Sequence, residues 1–363
     1  MGELTTSKEH LIPRELKLLT RIVLIMSLTW LINCQSKEEK ADVLFAPYNG
    51  AQKPGAAVMI IYNGQPLLVK TYGMAYIEKN LPVTPQTNFR LASVTKQFTA
   101  MCIMMLVERG KLDYDMRLTD IFPDFPLYGS KITIRHILQH TSGLIAYEDL
   151  IADTATVQVL DADVLQLMKE QDSTYFEPGT AYRYSNTGYA VLAMVVEKLS
   201  DQTFPQFLRK NIFRPLGMHN TVAYVNGVNR VPQRAFGYTV HVDSVEFTDQ
   251  SITSAVLGDG GIYSSINDLF KWDQALYTEK LVSQKTLQQA FTPYLENYGS
   301  GWRIDTYKGH KRIHHTGSTR GFRNVIQRYP DDRFTVIILT NRNDPGVAPL
   351  AEKLTDIFLF NAE

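Results

Sequence analysis

The sequence predicts an α/β chain of the α+β kind: one antiparallel sheet assembled from both ends of the chain and flanked by helices, with a mostly α-helical domain inserted in the middle. Three observations predict it. The segments from Ala56 to Tyr76 and from Trp302 to Thr340 are β-rich, whereas the interval from about Ser130 to Arg230 is patterned for helices. With 363 residues, 44% hydrophobic and 20% charged, the chain can bury a real core and hold about two domains. It contains no internal repeat and no low-complexity tract.

At the N-terminus, Lys17 and Arg21 precede an apolar run from Ile22 to Ile32, and Cys34 opens the charged stretch Gln35 to Lys40. This is a signal-peptide layout, the apolar run falling short of the roughly 20 residues a membrane-spanning helix needs. Leu31-Ile32-Asn33-Cys34 resembles a bacterial lipoprotein processing box, with Asn33 where a small residue is usual. The expectation is a signal peptide over 1–33, a lipid anchor on Cys34, a solvated tether over 34–42 and an exported cell-envelope domain over 43–363. Cys102, the other cysteine, reads as a buried small apolar residue, so an anchored chain has no intramolecular disulfide.

In the domain, Asn63-Gly64 marks a tight hairpin between two strands. Ser93 begins an apolar, buried helix through Met101, Ile103, Met104, Leu106 and Val107, closed by Gly110. Helices follow near Thr133 to Gln139, Ala162 to Glu170, Thr187 to Leu199, Phe204 to Ile212 and Asn267 to Leu276. Strands are read at Trp302 to Tyr307, Arg312 to Thr316, Phe322 to Tyr329 and Thr335 to Thr340, then a closing helix from Val347 to Phe360. The α/β part therefore covers about 43–125 plus 250–363 and the helical part about 126–249, with a cleft between them as the natural site.

Ser93-Val94-Thr95-Lys96 puts a hydroxyl and an amine on one face at a helix start. Burial on an apolar helix disfavours a lysine's charged form, so it can accept the serine proton, and the helix N-terminus favours developing negative charge. Tyr184-Ser185-Asn186 follows the turn Glu177-Pro178-Gly179 and brings a phenol and an amide to another helix entrance. Tyr224-Val225-Asn226 and Ser265-Ile266-Asn267 offer similar groups, but turn formation and N-capping suffice to explain them. His315-Thr316-Gly317-Ser318 ends a strand, where the glycine lets a substrate backbone approach and the Ser318 N–H joins that of Ser93 around an oxyanion.

In this order these elements resemble the penicillin-recognising serine hydrolases, the tyrosine form pointing to class C β-lactamases, D-alanyl-D-alanine peptidases and related esterases. His140-Thr141-Ser142-Gly143-Leu144 and Gly260-Gly261 before Asp268-Leu269 add to the resemblance, which runs from about Val43 to the C-terminus. It implies Ser93 as acylated nucleophile, Lys96 and Tyr184 as shared base, Asn186 as orienter, and substrate binding by His315, Thr316, Gly317 and Ser318. The third motif begins with His315 where true β-lactamases carry lysine, which favours peptidase or esterase chemistry; Arg320 or Arg323 is the expected replacement anion contact.

Lysine plus arginine balance aspartate plus glutamate at 37 each, which excludes a global field for nucleic acid. His136 and His140 have a zinc-pair spacing but Ile137 stands where a metalloprotease carries glutamate, and His310 and His314 read as solvent-facing strand residues. Gly258-Asp259-Gly260-Gly261 lacks phosphate-loop spacing and reads as a tight turn. No metal and no cofactor is expected, and the partner is a small-molecule or peptide substrate. The rival reading is a non-catalytic peptidoglycan- or peptide-binding lipoprotein of the same fold, which would have no need of a serine flanked by two bases.

Overall fold

A computed structural model describes Gly2 and residues 35–361. The apolar run and Cys34 lie outside the described residues. The chain divides into two compact units, residues 1–44 and 45–363. In the stretch read as a tether, Lys37–Phe45 is helical. Ser36 Oγ accepts the Glu39 N–H at 3.1 Å and Glu39 Oε2 accepts the Ser36 N–H at 2.8 Å, a reciprocal cap that explains the helix start. Among the described residues no helix is long and apolar enough to cross a membrane.

The second unit is built on a six-stranded antiparallel sheet. Its strands are β1 (Ala56–Tyr62), β2 (Gln65–Tyr72), β3 (Arg303–Tyr307), β4 (His310–Thr319), β5 (Phe322–Tyr329) and β6 (Phe334–Thr340), in the order β3-β4-β5-β6-β1-β2. The N-terminal hairpin thus joins the C-terminal meander through β1 and β6, Ala56 facing Thr340 and Tyr62 facing Phe334. Asn63 and Gly64 both take positive φ, +50° and +76°, as the short hairpin demands. Along β1 only Tyr62 is exposed, and β6 is buried throughout. Such continuous burial requires cover on both sides of the sheet.

Five helices position the chemistry: α1 (Lys96–Glu108), α2 (Asp161–Lys169), α3 (Asn186–Ser200), α4 (Ile266–Ala275) and α5 (Ala348–Phe358). Helices α4 and α5 both pack on β6. Residues Lys96 to Leu106 of α1 are all buried, and Gly110, at φ +66°, closes its end with the Lys111 N–H returning to the Leu106 carbonyl. The middle of the chain is less purely helical than its pattern predicts. Phe89–Arg90, Ile262–Ser264 and Val222–Ala223 form a small three-stranded sheet, and Tyr238–Val240 pairs with Val245–Phe247. Strands of two or three residues are too short to leave a periodic signal.

Candidate active site

Ser93 lies in a 3-10 turn, Ala92–Thr95, one step before α1 begins at Lys96, so the helix starts three residues later than its pattern suggests. Ala92 holds φ +50°, a left-handed conformation that a non-glycine residue adopts at a cost of about 1–3 kcal/mol. The surroundings enforce it. The Leu91 N–H donates to the Ile262 carbonyl at 2.8 Å, Asn324 Nδ2 donates to the Arg90 carbonyl at 2.7 Å, and the Ile262 N–H donates to Thr95 Oγ1 at 3.3 Å. Gly317 of β4 completes the clamp, since a Cβ there would lie 2.1 Å from the Leu91 carbonyl oxygen. The close approach expected for a substrate backbone at this glycine is therefore made by the protein's own chain, and it brings the end of β4 against the nucleophile turn.

Lys96 is fully buried, and its Nζ donates to Ser93 Oγ at 3.1 Å, Asn186 Oδ1 at 2.8 Å and the Asp259 carbonyl at 2.9 Å. All three acceptors are neutral. Asn186 opens α3, whose N-cap is Ser185, with Ser185 Oγ accepting the Gly188 N–H at 3.1 Å. Its Nδ2 donates to Glu148 Oε1 at 2.7 Å, which leaves Oδ1 pointed at the amine. Tyr184 meets Lys96 with its ring, the amine lying 4.9 Å from the ring centroid. The Tyr184 hydroxyl is buried and makes no hydrogen bond among the described residues.

His315 is 2% exposed. Its Nδ1 lies 2.7 Å from the Thr316 carbonyl, so that nitrogen carries the proton, and the Tyr298 hydroxyl then donates to Nε2 at 3.0 Å. Burial, and then the nearby Lys96 charge, hold its pKa well below the usual histidine value. Both nitrogens are engaged inside the protein, so this imidazole has no donor left for a substrate anion; Thr316 beside it is half-buried and Ser318 exposed. Arg323 Nη1 donates to the Thr319 and Phe322 carbonyls at 2.7 and 2.8 Å, and Arg320 is exposed. The Arg303 guanidinium lies 5.9 Å from the Tyr184 ring centroid and 5.7 Å from that of Tyr298.

His140 sits behind these rings, 1% exposed, at φ +58°, with its ring centroid 4.3 Å from Tyr184 and 4.4 Å from Tyr298. Its Nδ1 accepts the Ser185 N–H at 3.1 Å and its carbonyl accepts the Arg183 N–H at 2.9 Å, which fixes the loop carrying Tyr184 and Asn186. Burial and then the Lys96 charge depress its pKa well below the ordinary value. His136 has a separate task, its Nδ1 and N–H closing a capping box with Thr133. Among the described residues no cluster suited to a metal ion occurs.

The competing motifs fall elsewhere. Tyr224 hydrogen bonds its own neighbour Asn226 at 3.2 Å beside the Tyr263 ring, and Ser265 caps α4 through the Asp268 N–H at 3.2 Å. His310 and His314 are half-buried beside Asp332 and Asp305, at 2.8 and 3.3 Å. Sequence reasoning missed Glu148, Arg303, Tyr298 and Asp259. Glu148 and Arg303 belong to no local motif, Tyr298 reaches His315 only through the fold, and Asp259 acts by its backbone carbonyl, which side-chain identity cannot reveal.

The sequence profile of the Beta-lactamase family matches residues 41–357. Penicillin-binding protein 4* of Bacillus subtilis is 34% identical over 331 residues, covering 85% of this chain and 73% of that protein. The octameric penicillin-binding protein homologue of Pyrococcus abyssi superposes with a TM-score of 0.77 at 26% identity, over 89% of this chain and 77% of that one. The D-amino acid amidase of Ochrobactrum anthropi SV3, solved with L-phenylalanine amide, shares the fold at a TM-score of 0.76 and 22% identity, over 90% of this chain and 100% of that one. With the serine, lysine, tyrosine and asparagine assembled at the start of two buried helices and the profile matching residues 41–357, the chain belongs to the beta-lactamase and penicillin-binding-protein family of serine hydrolases.

Proposed function

We propose that this protein cleaves an amide or ester carbonyl through an acyl-enzyme on Ser93. The observation that carries the reading is the 3.1 Å contact of Lys96 Nζ with Ser93 Oγ, made by an amine whose other two partners are neutral. As Oγ bonds to the carbonyl carbon, the serine proton passes to Lys96; the N–H groups of Ser93 and Ser318 receive the developing oxyanion. Lys96 and Tyr184 share the return of that proton to the leaving group, Tyr184 through a buried hydroxyl with no protein partner among the described residues. Water then attacks the ester on Ser93 and releases the acid.

The charges bordering the site are the Glu148 carboxylate at Asn186 and the Arg303 guanidinium over Tyr184. A substrate derived from an amino acid or short peptide, with an ammonium group or a carboxylate near the scissile bond, complements them. The neutral, inward-facing His315 disfavours efficient β-lactam turnover, so we assign a D-amino-acid peptide, amide or ester ahead of a lactam. We further assign the protein to the bacterial cell envelope, held by a lipid on Cys34, which the mass of the protein recovered from membranes tests.

The test of the activity is the intact mass of the soluble domain after incubation with a fluorophosphonate and, separately, with a penicillin, beside Ser93→Ala. A phosphonate adduct in the wild type that is absent from Ser93→Ala is expected, together with a lasting penicillin adduct. Absence of any adduct would overturn the assignment and leave a binding protein of this fold.

A further inference from the structure

A buried carboxylate outside the motifs reaches the base through one turn of backbone. Asp161, the first residue of α2, is 7% exposed. Its Oδ2 accepts the Leu257 N–H at 2.8 Å and its Oδ1 accepts the Gly258 N–H at 2.9 Å. Those amides open the short helix Leu257–Gly260, and the next carbonyl, that of Asp259, is the one that accepts from Lys96 at 2.9 Å. The rest of the turn is fastened as firmly: Thr99 Oγ1 donates to the Gly258 carbonyl at 2.7 Å and Arg90 Nε to the Gly260 carbonyl at 3.3 Å. Gly258 is pressed so closely on α3 that a Cβ would lie 2.3 Å from the Tyr189 carbonyl oxygen.

The consequence for Lys96 is directional. A neutral amine has two N–H bonds and one lone pair in tetrahedral array. Asn186 Oδ1 and the Asp259 carbonyl are fixed acceptors for the two N–H bonds, which leaves the lone pair facing the Ser93 hydroxyl. Without a fixed Asp259 carbonyl the amine can turn, and the lone pair loses its aim. A small misalignment of this kind is worth orders of magnitude in rate.

Resting on the acyl-enzyme reading above, we propose that Asp161 is a positioning residue for catalysis, setting the Asp259 carbonyl against Lys96 through the Leu257 and Gly258 amides and so aiming the base at Ser93. A carboxylate is suited to the task because it accepts from two N–H groups at once, where an asparagine offers one acceptor and turns an NH2 against the second amide. The groups facing Asp161 are the Asp259 carboxyl and the Tyr147 hydroxyl, which donates to Asp259 Oδ2 at 3.2 Å. Burial raises the Asp161 pKa to about 7, so protonation near neutrality removes one acceptor by the same logic.

The experiment compares fluorophosphonate labelling of Ser93 in wild type, Asp161→Asn and Asp268→Asn, per folded molecule, as a function of reagent concentration and pH. Asp268 is the control, a carboxylate 2% exposed that accepts the Asn220 and Thr221 N–H groups at 2.9 and 3.0 Å and has no link to Lys96. The expected result for Asp161→Asn is a maximal labelling rate lower by about tenfold or more, half-saturation within about twofold of wild type, and a displaced acid limb. Asp268→Asn should melt earlier yet label at the wild-type rate. Should Asp161→Asn not accumulate folded, Asp161→Glu, which moves the carboxylate by one methylene, replaces it with the same expectation. A wild-type maximal rate and pH profile in the folded Asp161 variant, or a loss confined to half-saturation, overturns the proposal. Wild-type protein that does not label at Ser93 overturns the acyl-enzyme reading instead, and the proposal falls with it.

Discussion

Of the cations buried among the described residues, Arg328 and Lys96 are treated differently. Arg328 is 1% exposed and its Nε donates to Asp273 Oδ1 at 2.6 Å; Thr335 donates to the same oxygen at 2.9 Å. Lys96 is more deeply buried, yet its three direct partners are a hydroxyl, an amide oxygen and a backbone carbonyl. A carboxylate partner requires the positive charge, because losing it would strand a buried anion. Neutral acceptors set no such requirement, since removing a proton from this amine strands no anion beside it. The contrast separates a cation that holds the fold from one that, in the acyl-enzyme reading proposed above, passes a proton.

The strongest way to break this comparison is to force a fixed charge on the catalytic side. Lys96→Arg keeps the cation and removes a lone pair available at neutral pH. We expect phosphonate labelling of Ser93 to fall by about three orders of magnitude or more, comparable with loss of a general base, while the protein stays folded by circular dichroism. Labelling within tenfold of wild type would mean that charge and not proton transfer is what Lys96 supplies.

The complementary change removes the partner of the structural cation. Asp273→Asn leaves Arg328 buried without its carboxylate and should destabilise the protein by about 3–5 kcal/mol in urea unfolding. Labelling per folded molecule should remain at the wild-type rate. A selective rate loss with unchanged stability would show that the two cations are not separable.

A smaller effect sharpens the comparison through pH. His140 and His315 are held neutral by burial, with pKa values depressed below the ordinary 6.5. A depressed base gives stability that is present above the unfolded pKa and lost as pH falls through the folded one. The melting temperature should therefore decline as pH drops below about 6.5, and His140→Gln should flatten part of that decline. Asp161 and Asp259 work in the opposite sense, since burial raises their carboxyl pKa values to about 7 and about 6. Their stabilising share is complete below about pH 4 and lost as pH rises to 7, so Asp161→Asn should gain on wild type between those limits.

The smallest expected effect concerns the charges at the rim of the site. Glu148→Gln keeps an acceptor for Asn186 Nδ2 and removes a carboxylate, so KM for an amino-acid amide with a free amine should rise by about tenfold. The N-acetylated substrate should be unaffected. Equal changes for both substrates would assign Glu148 to holding Asn186 alone.

Much of the frame was legible because it obeys local rules. Asn63-Gly64 takes the two positive φ values its composition predicts, and α1 is buried along its length as its continuous apolar pattern requires. The strand from Phe322 to Tyr329 is found over the span its pattern predicts. The short strands at Phe89, Val222 and Ile262 were not legible, because pieces of two or three residues exist only by pairing with segments distant in the chain, Phe89 with Ser264 and Val222 with Tyr263. Ser93 with Lys96 and Tyr184 with Asn186 were visible as motifs, whereas Arg303, on a strand that follows the helical region and precedes His315, was not, because it meets Tyr184 only in the fold.

By itself the sequence determined which side chains are present at which helix start, and hence the class of chemistry available: a hydroxyl and an amine three residues apart, a phenol and an amide two apart. Spacing within one turn is set by helix geometry, so it can be read without a fold. Only the tertiary structure decided what surrounds the amine. The Asp259 carbonyl, the Asp161 carboxylate behind it and the inward-turned His315 come from segments far apart in the chain, and a backbone acceptor has no residue type to betray it. The physical reason is that a buried amine must take its partners from whatever the fold brings to it, and here those are a hydroxyl, an amide oxygen and a backbone carbonyl.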